Sequence, residues 1–460
     1  MFCNLRYPAL LLFVLIIQAV TAGKAHAIPA FSREHNTECA TCHTIFPELN
    51  EYGDVFKKNG FVWNKQQKGE PAAGSDKKTV IKGEGDPEML KKLRASAAVN
   101  SAESDDPASG TVKKSEPLWL AGLPQTLPLS LAATLNASYN DAAPHDKVDL
   151  STRAVSLLAG GVFRDKLAFY LKYNLYAEGA FDPAVSNTPV NLDSPFAKDL
   201  EEFYLVWRNT LNTPVNLKAG RFRPQLSLWG KTNKIGISDF ATTSFRIGSS
   251  RFTVDSPEDA VELNTVLINR LYLAGGIVDR DGQDTNEAYG HVSLKIGGSD
   301  FHAKEPDIDL DKESLFDFMY LVIGGYGYSG RNSGSLASKE RNSFFRGGVE
   351  MDLVVMNARL KLAWAKGIDS NPDFISHAKE YTDVYAVQGE YMLRTDLLAL
   401  LRYEYQEMND GTTYERIIPA ISYSPMQNTK LTLEYQYVMS EKSGLTSNSN
   451  IALLGIRVAF

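Results

Sequence analysis

Residues 397–407, with the sequence LLALLRYEYQE, decide the fold of this chain. From position 397 onward every second residue is apolar or aromatic, and the alternate positions end in a polar set, Arg402, Glu404 and Gln406. A two-residue period of this kind is typical of a β-strand with one apolar and one polar face. We therefore predict a mainly β chain, since the same alternation recurs at 127–139, 167–176, 429–439 and 450–460.

Strands of this type fit two architectures, a soluble β-sandwich with its apolar faces inward and a membrane barrel with its apolar face to lipid. Three features favour the barrel. Tyr and Trp residues cluster near strand ends, and very short connections (164–165, 394–395) alternate with long polar ones (179–198, 368–382). The chain also ends on an alternating strand with an aromatic residue, Phe460, which resembles the recognition signal of bacterial outer-membrane barrels. The sequence thus predicts an antiparallel outer-membrane β-barrel.

The periodic segments give the expected size of this barrel. An even number of strands puts both chain termini on the periplasmic side. Two segments fit less well: 298–315 becomes a long periplasmic connection, and the strand-like 241–253 is assigned to a long external loop or a constriction of the lumen. About sixteen strands are predicted, at 127–139, 148–161, 167–178, 199–208, 214–222, 258–267, 271–280, 287–297, 316–328, 342–354, 358–367, 383–393, 397–407, 413–423, 429–439 and 450–460.

The first segment of the chain has the pattern of a secretory signal peptide. Arg6 precedes an almost unbroken apolar run over 10–20, and Ala25-His26-Ala27 supplies the small residues at a cleavage site. An uncleaved anchor is the alternative, but the run is too short to span a bilayer comfortably. We predict cleavage after residue 27 and export of a mature chain that begins at Ile28.

Cysteine usage indicates a cofactor. Of three cysteines, Cys3 would leave with the signal peptide, and the other two stand in Cys39-Ala40-Thr41-Cys42-His43. A C-x-x-C-H run is the attachment pattern of a c-type haem, in which two sulfurs bind the porphyrin and the histidine is the proximal iron ligand. A structural zinc site would need a second ligand pair, and a thioredoxin-like pair would need a βαβ context. We predict one covalent haem c, with a simple disulfide as the alternative.

The residues after the motif predict one short helix over 46–60. Pro47 suits its first position, acidic residues follow, and Asn59-Gly60 is a stop signal. An apolar face of this segment is expected to cover an edge of the haem or, alternatively, to be an ordinary amphipathic face. It comprises Leu49, Tyr52 and Phe56, together with Phe31 and Phe46.

The second axial ligand of the iron is left open by the sequence. His35 lies four residues before Cys39, and Met89 stands in a polar tract, so both are candidates and both have a bland interpretation as surface residues. A ligand elsewhere in the chain and an open site are further alternatives. The composition divides the chain into a signal peptide (1–27), a monohaem segment (28–63), a flexible linker or plug (64–117) and the barrel (118–460).

Charge excludes one class of partner. The formal net charge is −7 and the pI is about 5.6, which argues against nucleic-acid binding because a phosphate-reading surface needs a basic excess. An acidic run over 307–313 could attract cations or dock a basic carrier, but a solvated loop explains it better.

Residues 28–63 resemble a known family. The matching residues are Ile28-Pro-Ala-Phe-Ser-Arg33, then Cys39-x-x-Cys42-His43, then Phe46-Pro-x-Leu-Asn-x-x-Gly-x-x-Phe-x-x-Asn-Gly-Phe61. This pattern is similar to that of the fused cytochrome–porins of the bacterial outer membrane, whose best-known members are iron oxidases. Outside this segment the resemblance rests on length and barrel patterning, and His35 is a departure from the family.

The resemblance implies a function. Members join a monohaem segment to a sixteen-stranded barrel, take electrons from ferrous iron outside the cell and pass them to a periplasmic carrier. It also implies that Cys39, Cys42 and His43 attach the haem. A segment of some 36 residues is too small to bury a porphyrin alone, so a barrel lumen is expected to supply the cover. The alternatives are a conduit with another donor or acceptor, and a porin whose haem segment is only a plug or sensor.

Overall fold

The computed structural model describes most of the predicted barrel and part of the segment before it. The predicted signal peptide, the linker over 64–117, the acidic run over 307–313, the candidate ligands His35 and Met89, and Phe460 lie outside the described residues. Those residues are 31, 39–62, 129–143, 147–163, 166–177, 200–230, 233–248, 250–254, 256–279, 287–302, 304, 319–333, 340–426 and 428–459.

The fold is a closed antiparallel barrel of sixteen strands. Each strand pairs with its neighbour in sequence, β5 pairs with β8 across an inserted hairpin, β6–β7, and β1 closes on β18. The predicted strands are confirmed. They are β1 Leu129–Asn140, β2 Val148–Phe163, β3 Leu167–Ala177, β4 Leu200–Trp207, β5 Val215–Phe222, β6 Ser244–Ile247, β7 Ser250–Thr253, β8 Glu258–Leu267, β9 Leu271–Asp279, β10 Glu287–Gly297, β11 Met319–Ser333, β12 Arg341–Val355, β13 Ala358–Asp369, β14 Glu380–Arg394, β15 Leu397–Met408, β16 Thr413–Met426, β17 Thr429–Lys442 and β18 Leu445–Ala459.

The barrel wall has its apolar side chains on the outside and its polar side chains on the inside, the reverse of a soluble protein. On β17, Leu433 is 60% exposed on the outer surface, whereas the adjacent Glu434 is fully buried. On β15, Leu401 and Tyr403 are likewise exposed and Arg402 is fully buried. An apolar exterior around a polar interior excludes the β-sandwich alternative and is typical of a barrel that faces lipid.

Residues 39–62 form a compact segment against the inner wall. A 3₁₀ turn, Cys39–Thr41, is followed by one helix, α1, Glu51–Lys58. In the described part of the chain, no helix has the length and apolar character needed to cross a membrane. The predicted helix start at Pro47 is wrong, because the side chain of Asn50 accepts a hydrogen bond from the Gly53 amide and caps the helix there.

The connection between β5 and β8 also folds into the barrel. Carboxylates on the opposite wall accept hydrogen bonds from its backbone amides: Glu404 from Ala241 at 2.8 Å and Glu434 from Ile237 at 2.7 Å. Its hairpin β6–β7 buries Phe245 and Phe252. The strand-like pattern at 241–253 therefore belongs to a constriction of the lumen, one of the two alternatives predicted for it.

Candidate functional site

The three residues of the C-x-x-C-H motif face one cavity in the barrel lumen. It has a volume of about 280 Å³ and is bounded by residues 39–61, by the inner wall and by the inward connection after β5. Besides Cys39, Cys42 and His43, its lining includes aromatic side chains and several cations: Phe31, Phe46, Phe56, Phe61, Tyr170, Tyr204, Trp229, Lys57, Lys218, Arg223 and Arg457. The structure thus brings the predicted haem-attaching residues together.

The motif itself folds as a tight turn. The amides of Cys42 and His43 both donate to the Cys39 carbonyl oxygen, at 3.1 and 3.0 Å. Neither cysteine forms a disulfide, and Cys39 is buried. Burial raises the pKa of the Cys42 thiol to about 11, so this thiol is neutral at pH 7.

Helix α1 packs directly on this turn. A Cβ atom at Gly53 would lie 2.1 Å from the carbonyl oxygen of Cys42, so only glycine allows the observed approach. The Asn50 side chain also donates to the carbonyl oxygens of Ala40 and Thr41, at 3.0 and 3.1 Å. One asparagine therefore caps the helix and holds the motif.

His43 has the environment of a metal ligand. Its Nδ1 atom lies 3.2 Å from the backbone oxygen of Glu48. Burial lowers the pKa of His43 to about 4, so its imidazole is neutral at pH 7. A histidine that donates its Nδ1 proton to a carbonyl presents the lone pair of Nε2 to a metal, which is the usual arrangement in metalloproteins.

Glu48 joins this histidine to the barrel wall. Its fully buried carboxylate pairs with Lys361 of β13, and its Oε1 atom lies 3.2 Å from Nη1 of Arg359. Lys361 also pairs with Glu390 of β14 at 2.6 Å. The backbone of Glu48 thus orients His43, while its side chain is fixed to β13, more than 300 residues away in the chain. Sequence reasoning missed this role, and treated Glu48 only as an acidic residue near a helix start.

An aromatic cluster covers another side of the segment. The ring centroids of Phe31 and Phe61 are 5.2 Å apart, and Phe61 stacks on Tyr170 of β3 at 5.8 Å. A Cβ atom at Gly160 of β2 would lie 2.6 Å from Cζ of Phe31, so the Phe31 ring packs where this strand has no side chain. As predicted, Leu49 and Phe56 line the cavity with Phe31 and Phe46.

Tyr52 departs from that prediction. It packs with Val55, Tyr272 and Phe301 on the opposite side of α1, because the close approach at Gly53 turns positions 53, 56 and 57 toward the cavity. Tyr52 and His43 line a second cavity of about 630 Å³, which reaches the short connections at 356–357 and 395. His43 therefore lies between the lumen cavity and one end of the barrel.

Comparison with known proteins gives a fold and no family. No family model matches the chain, and no curated protein matches it either. An anion-selective porin from Comamonas acidovorans superposes with a TM-score of 0.51 at 10% identity, covering 73% of this chain and 99% of the porin. The chain has a porin fold. An outer-membrane protein of Vibrio cholerae, OmpT with loop L8 deleted, gives 0.47 at 14% identity, over 73% and 99% of the two chains. The outer-membrane channel DcaP of Acinetobacter baumannii gives 0.46 at 13%, over 72% and 96%.

The described residues of this porin-fold chain fit a haem c. Two cysteine side chains outside any disulfide, and a neutral histidine whose Nδ1 donates to the Glu48 carbonyl, face a single cavity. Arg457, on the same cavity, has a buried Nε atom without a hydrogen-bond partner, as expected where an anionic group is to bind. Among the described lining residues His43 is the only histidine, and none is a methionine.

Proposed function

We propose that this chain is an outer-membrane electron-transfer protein with one covalent haem c, which oxidises extracellular Fe(II) and passes electrons to a periplasmic carrier. The observation that carries the proposal is the convergence of Cys39, Cys42 and His43 on one cavity inside a porin-fold barrel. The resemblance of residues 28–63 to the cytochrome–porins supports ferrous iron as the donor.

The outer surface supports a place in lipid. Exposed apolar residues alternate with buried polar ones along β15 and β17, so the barrel has an apolar exterior of the kind that bacterial outer-membrane barrels present to lipid tails. A polypeptide wall of this kind conducts no electrons by itself. A redox centre within the lumen would accept and donate electrons at a point between the two faces of the membrane.

The residues of the segment have separate tasks toward this centre. Cys39 and Cys42 would attach the haem, and Nε2 of His43 would ligate its iron. When bound, the haem supplies reversible one-electron redox chemistry. Phe31, Phe56 and Phe61 exclude water from one side of the cavity, and the barrel wall provides the cover that a 36-residue segment lacks.

The two ends of the barrel suit a vectorial transfer. The second cavity reaches from His43 to the short connections, which the strand count predicts to be periplasmic, and a carrier could approach the motif there. Ferric iron precipitates near neutral pH, so oxidation at the outer face keeps the mineral outside the cell.

Addition of Fe(II) to the purified, oxidised protein tests the proposal. We expect prompt appearance of the reduced haem spectrum, and loss of that spectrum in a C39S/C42S control, which cannot attach the cofactor. If Fe(II) does not reduce the haem but another donor does, the protein is an electron conduit with a substrate other than iron. A chain without covalent haem would overturn the proposal.

A porin with a haem plug is the second candidate function, and the porin fold favours it. Two segments, 39–62 and the connection after β5, pack in the lumen and form hydrogen bonds with β13, β15 and β17 of the wall. We therefore expect low conductance from the reconstituted protein. A large, steady solute flux without redox turnover would favour the porin function instead.

A further inference from the structure

We propose that Arg457 and Lys218 are the anion-binding residues of the lumen cavity, and that they take the two propionate carboxylates of the haem. The inference rests on the proposed function, and it names the residues that would bind the propionate edge of the haem. Both side chains line the cavity, Lys218 from β5 and Arg457 from β18.

Arg457 forms no ion pair with a carboxylate of the residues that the structure describes. Its Nε atom is buried and unbonded, and its guanidinium lies 5.1 Å from the ring centroid of Phe46. Phe46 in turn meets the His43 ring edge-on at 5.4 Å, so the charge lies near the proposed iron ligand. A buried charge without a hydrogen-bonded counter-ion is costly, which indicates that the folded protein carries an anion there.

Lys218 lies on another part of the wall and is partly buried. Its ammonium lies over the rings of Phe222, at 3.9 Å from the centroid, and Tyr204, at 4.5 Å. No ion pair joins it to a carboxylate of the described residues. Cation–π contacts offset only part of the cost of desolvating an ammonium group.

The neighbouring cation on the cavity is already neutralised. Arg223 pairs with both Glu201 and Glu202, and Lys172 shares Glu201 at 2.5 Å. Glu201 and Glu202 therefore form their ion pairs with Arg223 and Lys172, and neither forms one with Arg457. Glu262 lies opposite Lys218 in the pairing of β5 with β8, but its carboxylate accepts hydrogen bonds from Tyr289 and Asn264 and forms no ion pair with Lys218. Lys218 and Arg457 thus line the cavity without an ion pair to any described carboxylate.

Haem carries two carboxylates on the edge opposite its two thioether bonds. The two cations of the wall that form no ion pair with a described carboxylate, Lys218 and Arg457, match that charge in number and sign. A free solute anion, such as acetate or phosphate, has the same chemistry and is the competing occupant. The two sources differ because a covalently held carboxylate does not exchange with the medium.

Redox titration of the intact holoprotein tests the assignment. Loss of a cation beside the haem favours the ferric form, so we expect R457Q and K218M each to raise the ferric-to-ferrous ratio about tenfold at a fixed solution potential. For a one-electron couple this is a fall of about 59 mV in midpoint potential. R457K keeps the positive charge, so its midpoint potential should lie close to that of the wild type.

Lys366 provides the control. It is a cation of β13 that pairs with Asp383 at 2.7 Å and lies outside the cavity lining. K366M should move the ratio by less than either cavity variant. An equal shift in K366M, or a ratio unchanged in both R457Q and K218M, would overturn the proposal.

Titration of the wild-type holoprotein with acetate separates the two sources. A midpoint potential independent of acetate supports the propionates, whereas a saturable shift that R457Q abolishes assigns the cations to a solute anion. If one variant attaches no haem, the other still gives the potential. Wild-type chain without haem would refute the proposed function; haem with unmoved potentials would refute only this inference.

Discussion

The segment 39–62 meets the barrel in two different ways. Its ionic side joins Glu48 and Glu51 to Lys361, Arg359 and Lys295 of the wall. Its aromatic side, Phe56 and Phe61 together with the preceding Phe31, packs against Tyr170 and Tyr204. Buried ion pairs contribute little net free energy because desolvation offsets attraction, but they require one geometry. Apolar packing contributes free energy and tolerates small shifts.

The comparison indicates a division of labour. The ionic side would fix the position of His43, because the carbonyl that holds its Nδ1 belongs to Glu48. The aromatic side would retain the segment in the lumen and keep the cavity dry. Four substitutions test this division, in order of decreasing expected effect.

Lys361→Met should have the largest effect. It leaves Glu48 and Glu390 buried with one cation fewer, and breaking such a pair costs about 3–5 kcal/mol. Urea-dependent protease cleavage within 39–62 would measure release of the segment, while heat-modifiable gel mobility reports the barrel. The double variant E48Q/K361M should recover part of the loss. Wild-type resistance in K361M would contradict the role given to the ionic side.

Phe61→Ala should destabilise docking by about 3 kcal/mol, the low end for a buried phenylalanine, because the ring borders the cavity. The same cleavage assay measures it. Phe345, half exposed on the outer surface, provides the control: F345A removes an equal ring and should leave the segment in place. Equal release by both variants would mean that general barrel damage, and not docking, is measured.

Gly160→Ala should cost about 1–2 kcal/mol, because the new methyl group would meet the Phe31 ring at 2.6 Å. Gly389 of β14 has open space at the same point, so G389A is the matched control. Docking measured by protease protection should fall only in G160A. If the two variants behave alike, Phe31 does not seat against β2 in solution.

Lys295→Met should have the smallest effect, about 1 kcal/mol or less. Its partner Glu51 is one quarter exposed, whereas Glu48 is fully buried, so the Glu51 carboxylate keeps part of its solvation when the 2.6 Å pair to its buried Oε1 atom is lost. Protease protection should stay near that of the wild type. A loss as large as that in K361M would show that burial does not distinguish the two ion pairs.

Local patterns explain why so much of the barrel was predictable. The two-residue period along 397–407 and 429–439 depends only on neighbouring residues, and these became β15 and β17 within a few positions. The predicted start of the helix at Pro47 was wrong by a few residues, since the helix begins at Glu51. Pro47 and Asn50 are both good start signals, and the choice of Asn50 follows from its bonds to the turn at Ala40 and Thr41.

The site was predictable only in part. The C-x-x-C-H spacing identified Cys39, Cys42 and His43, because that chemistry is contained in five consecutive residues. Arg457 and Lys218 had no such signal, since an inward polar residue on a barrel strand is ordinary. Their importance depends on which other side chains share the cavity.

By itself the sequence determined the strand period, the approximate strand number and the motif that would attach a haem, all of which are local in the chain. Only the tertiary structure decided that residues 39–62 lie in the lumen, that Tyr52 turns away from the cavity, and that Glu48 meets Lys361. Glu48 and Lys361 are 313 positions apart, and no periodicity of either segment records the other. Closure of the barrel brings them together.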